Sequence, residues 1–129
     1  MSIVAYQKSA QRTETPTDRE IRAFSRVIAL LEAADRSNPL TVIPAVYEND
    51  RLWTVLQAEL VAPDNALPPQ LRASLLSLSI WAQRHGAAVI EGKADLQPLI
   101  DVNKQIAAGL MAQRRTAAPA TPSTAASAA

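Results

Sequence analysis

Residues able to do acid–base or nucleophilic chemistry are few in this chain, and they do not converge. His85 is the single histidine and cysteine is absent. Neither a cysteine nucleophile nor a spaced set of His and Cys metal ligands can be assembled from them. A lone histidine beside a helical apolar stripe reads as a half-buried packing residue. The carboxylates Glu48, Asp50 and Glu59 fall in one predicted helix but point in different directions around it. That describes a solvated face better than a catalytic pair. Gly86, Gly92 and Gly109 are scattered and form no phosphate-cradling loop. No catalytic, metal or cofactor site is assigned, and an enzyme is not expected.

The charge balance narrows the partners. Formal net charge is +1, with acids and bases interleaved. Phosphate binding relies on clustered Lys and Arg, so nucleic acid is not the expected main partner. The opening MSIVAYQKSA lacks a signal-peptide apolar run, and no segment approaches about 18 uninterrupted apolar residues. A cytoplasmic protein that does not cross a membrane is the expectation.

The elements that would position these residues are helical. Residues 3–12 predict a short helix with Ile3, Val4 and Tyr6 as a small apolar patch. The next helix begins either with Thr15 as cap and Pro16 as first residue, or with Thr17 as cap and Glu20 closing a capping box. Ile21, Phe24, Val27, Ile28, Leu31 and Ala34 recur on one of its faces. Asp18–Arg22 and Glu32–Arg36 have the spacing of i,i+4 ion pairs. Asn38-Pro39 restarts the chain, and Pro44 predicts a division into a short turn and a helix from about Ala45 to Val61. Pro63-Asp64-Asn65 ends that helix, and Pro68-Pro69 opens one running to about Glu91, with Gly92 as its C-terminal glycine. Asp95 is expected to cap a last helix carrying Leu96, Leu99, Val102, Ile106 and Leu110. The Ala/Thr/Pro/Ser segment 116–129 has nothing large to bury and predicts a disordered, dispensable tail. One all-α domain over residues 1–115 is expected, a compact bundle of four to five helices.

Several polar and aromatic residues sit on apolar faces. Asn49 falls inside the stripe of Leu52, Trp53, Leu56 and Leu60, and Asn103 between Leu99 and Ile106. An unsatisfied buried amide costs roughly 1–3 kcal/mol, so both are expected to be buried and hydrogen-bonded, fixing helix register. Trp53 is expected in the core; Trp81 lies at the margin of its stripe.

The helix over 68–91 carries two stripes. Leu71, Leu75, Leu78, Ala82 and Val89 make one; Leu76, Ile80 and Ala87 make another nearly opposite. One stripe suffices for a surface helix. Two mean either a helix sandwiched among its own neighbours or one that offers a face to a partner. The candidate partner face is Leu76 and Ile80 with Arg72, Gln83, Arg84 and Trp81 around them.

Asn49-Asp50-Arg51-Leu52-Trp53, Pro63-Asp64-Asn65 running into Leu67-Pro68, Leu71-Arg72-Ala73, and Ile106-Ala107-Ala108-Gly109-Leu110 occur in that order. In this the chain resembles the FlaF family of flagellar biosynthesis regulators from alphaproteobacteria, over roughly residues 3–112. The resemblance implies a positive role in flagellin synthesis or export, opposed to a FlbT-like translational repressor. It makes flagellin the expected partner, held in a chaperone-like contact, because a small bundle can take an amphipathic helix in a groove. Two alternatives stay open: binding to the FlbT-like repressor, and binding to flagellin messenger RNA, which the near-neutral charge disfavours. Arg51, Leu52, Trp53 and Arg72 carry over as members of the family pattern, with no catalytic role.

Overall fold

The computed structural model describes residues 14–117, which form four α-helices. The helix expected over 3–12 and the tail beyond Ala117 lie outside the described residues.

Helix α1, Pro16–Ala33, starts by the first of the two capping arrangements. The Thr15 hydroxyl accepts the Asp18 N–H at 3.1 Å, and the Asp18 carboxylate accepts the Thr15 N–H at 3.2 Å. Asp18 therefore closes the box that the alternative reading gave to Glu20. Helix α2, Pro39–Val61, is capped by Asn38, whose side chain accepts the Leu40 N–H at 3.0 Å. It runs unbroken through Pro44, contrary to the division expected there. The missing proline N–H falls near the start of the helix, opposite the carbonyl of Leu40, a residue 83 % exposed. Water can serve that carbonyl, so the lost bond is tolerated.

The turn between α2 and α3 lies where Pro63-Asp64-Asn65 placed it. Asn65 holds it, donating to the Glu59 carbonyl at 2.9 Å and accepting the Leu67 N–H at 3.0 Å. Helix α3, Pro69–Ile90, ends on Gly92 at φ 76°. Gly92 N–H bonds the Val89 carbonyl and Lys93 N–H bonds the Ala88 carbonyl, the paired closure that a left-handed residue permits.

Helix α4, Gln97–Ala117, is not capped by Asp95. The first helical bonds are accepted by the Leu96 carbonyl, while the Asp95 carboxylate is drawn to Arg36 at 3.1 Å. Thr116 and Ala117 belong to this helix rather than to a tail.

The two i,i+4 ion pairs also give way to longer-range partners. Asp18 pairs with Arg114 at 3.0 Å, Glu32 with Lys104 at 2.9 Å, and Arg22 with Glu14 at 2.6 Å. Exposed pairs of this kind contribute about 0–1 kcal/mol each. Two of them cross from α1 to α4, which lie side by side.

Helix α2 is the spine, packing on α1 on one side and on α3 on the other. Helices α3 and α4 touch only lightly, so the fourth side of the bundle stays slack. The core joins Phe24, Val27 and Leu31 to Val46, Trp53, Leu96, Leu99 and Ile100. Phe24 meets Trp53 edge-on at 5.8 Å, an arrangement worth about 0.5–1.5 kcal/mol beyond burial.

Candidate partner-binding surface

The polar residues on apolar faces form one buried network. Asn49, Trp53 and Asn103 are each sealed from solvent. Asn103 donates its amide to the Asn49 carbonyl oxygen at 2.7 Å and accepts the Trp53 indole N–H at 3.0 Å. Both asparagines are thus buried and bonded, as their place on apolar stripes implied, and they set the register of α2 against α4. Arg51 and Leu52 beside them differ: Arg51 is exposed and paired with Glu48 at 3.1 Å, and Leu52 is half-buried.

Helix α3 meets α2 through small residues. Ser79, Ala82, Gly86 and Val89 are its buried positions. The Ser79 hydroxyl donates to the Leu76 carbonyl at 2.6 Å and accepts the Gln57 amide at 3.2 Å. A Cβ on Gly86 would stand 3.0 Å from Asp50 Oδ1 and 3.1 Å from Val46 Cγ1. That closeness corrects the expected stripe. Leu71 is exposed, and Leu75 and Leu78 are half-buried. Large side chains would hold the helices apart, so the small residues take the interface and the leucines flank it. The spacing of Ser79, Ala82 and Gly86 was the available signal.

The second stripe has no partner helix among the described residues. Ile80 is 44 % exposed, Ala87 is exposed and Leu76 is half-buried. Of the residues grouped around them, Arg84 is exposed and Arg72 half-buried. Gln83 is turned to α2, donating to Thr54 at 3.2 Å. Trp81 packs toward the core and stacks on His85 at 5.0 Å. His85 Nε2 lies 2.8 Å from the Asp95 carbonyl oxygen and pins the α3–α4 connection. The exposed face thus reduces to Leu76, Ile80 and Ala87 with Arg84 beside them.

Two carboxyl groups are perturbed. Burial, then the neighbouring Glu59 charge, holds Glu20 above its usual range. Burial alone raises Asp50. Asp50 Oδ1 and Asn49 Nδ2 are buried without a hydrogen-bond partner among the described residues. No group of His, Cys, Asp or Glu among those residues is arranged to hold a metal ion. None of their helices is long and apolar enough to cross a membrane.

No curated protein and no solved structure matches the chain. The model of one protein family, described as flagellar protein FlaF, matches residues 2–110. That span takes in the Trp53–Asn103–Asn49 network, the small-residue seam of α3 and its exposed outer stripe. The chain therefore belongs to the FlaF family of flagellar proteins.

Proposed function

We propose that this protein promotes flagellin production as a chaperone-like adaptor that binds flagellin directly, without catalysis. The outer stripe of α3 supports this reading. Leu76, Ile80 and Ala87 form an apolar line on a helix whose packing is already met on its other side by α2. Exposed apolar surface beside polar residues is a usual mark of a protein contact. The terminal helices of unassembled flagellin are amphipathic and would lay an apolar face along that line. Buried apolar surface then stabilises the complex.

Purification of the tagged protein from motile cells tests the proposal. Flagellin as the main co-purifying protein supports it. A FlbT-like repressor in place of flagellin moves the effect to translation through that protein. A salt-sensitive shift of the flagellin messenger leader, with no protein partner, contradicts it.

A further inference from the structure

The slack side of the bundle holds a groove separate from the outer stripe of α3. Its volume is about 420 Å³. Leu67, Leu71 and Leu75 form one wall and Ile106 and Leu110 the other. Glu20 and Glu59 line it as well, so an acidic pair stands beside an apolar floor. The groove exists because α3 and α4 diverge while each packs on its other neighbour. No described residue fills it.

We infer that this groove is the docking site of the chain's own N-terminal segment, residues 1–13. Three observations select that occupant. The first is position: Thr17, in the first turn of α1, lines the groove, and the segment joins the helix only a few residues earlier. Extended chain covers about 3.3–3.6 Å per residue, so its apolar residues reach the groove without strain.

The second is chemistry. The segment carries Ile3, Val4 and Tyr6, side chains suited to a floor of leucine and isoleucine. The third is charge. Lys8 and Arg12 are its only ionisable side chains of strong charge, both basic, and it contains no acid. They complement Glu20 and Glu59. The raised carboxyl of Glu20 agrees with two acids crowded together at the groove, one of them half-buried.

The docked segment closes the bundle between α3 and α4 and leaves Leu76 and Ile80 on the outer face. This inference does not depend on flagellin as partner.

The absence of cysteine allows a direct test in the full chain. Gln7→Cys is combined with Gln105→Cys or with Gln113→Cys on the groove rim, and with Ser77→Cys on the outer side of α3 as control. A disulfide requires Cα atoms within about 7 Å. The expected result is an intramolecular disulfide to a rim position, none to position 77, and loss of the rim crosslink when Ile3, Val4 and Tyr6 are all changed to glutamate. In parallel, methyl resonances of Leu71, Leu75, Ile106 and Leu110 should shift with that triple change while Ile80 does not. Unmoved groove methyls, or equal crosslinking to position 77, would overturn the inference. Crosslinked dimers in place of monomers would also overturn it and assign the groove to a second copy.

Discussion

Asn103 of α4 donates to Asn49 of α2 across 2.7 Å, with both side chains fully buried. The same Asn103 accepts the Trp53 indole N–H, so one amide holds a donor and an acceptor from α2, across the core of the bundle. Asn103→Leu leaves both without partners, at roughly 1–3 kcal/mol for each group. That is a large part of a total stability of about 5–15 kcal/mol. Denaturant unfolding of Asn49→Leu, Asn103→Leu and the double variant should show losses that are less than additive, because each single change strands the other amide. Strictly additive losses would mean the two amides act independently. The folded fraction of each variant should still bind flagellin.

Gly86 sits where a side chain has least room. In an exposed helix Gly→Ala gains about 1 kcal/mol. Here the new Cβ meets Val46, which is fully buried, and the Asp50 carboxylate. Crowding a packed seam costs about 1–3 kcal/mol. Gly86→Ala should therefore lower stability, by about 1 kcal/mol once the helix gain is subtracted. A higher melting temperature would show that α3 and α2 can part without loss.

Asp50 faces the same seam, and burial raises its carboxyl above the ordinary 3.8. The folded state thus holds the proton more tightly than the unfolded chain. Folding favours the neutral form, that stability is fully present below the unfolded value, and it is lost as pH rises through the folded pKa. Asp50→Asn should raise the melting temperature near neutral pH, with the gain shrinking as pH falls toward 3.8. A gain of constant size across that range would trace the effect to something other than the charge.

Helix limits were legible because they are written in local chemistry. Thr15-Pro16, Asn38-Pro39, Pro63 to Pro69 and Gly92 each stop or start a helix through their own backbone preferences. Asn49 and Asn103 were legible as buried because their positions on apolar stripes are local too. Which helices meet in the core was not. The pairing of Trp53 with Asn103 spans fifty residues, and periodicity within one helix carries no record of its neighbour. Asp95 failed as a cap because Arg36 competes for it. The leucines of α3 failed as its central stripe because close approach rewards Ser79, Ala82 and Gly86, which a hydrophobicity pattern ranks low. Its outer stripe was visible, but only the exposure of Ile80 and Ala87 shows that no helix among the described residues covers it.

The proposed flagellin contact is tested most directly by Ile80→Glu, with circular dichroism and a flagellin pull-down on the same preparation. Ile80 is 44 % exposed, so a glutamate there stays hydrated in the free protein and the helical signal should match the parent chain. At a dry contact that carboxylate would be desolvated without a partner, at a cost of several kcal/mol. Retained helicity with loss of flagellin association is the expected result. A folded Ile80→Glu protein that binds flagellin as well as the parent would contradict the assignment of this face.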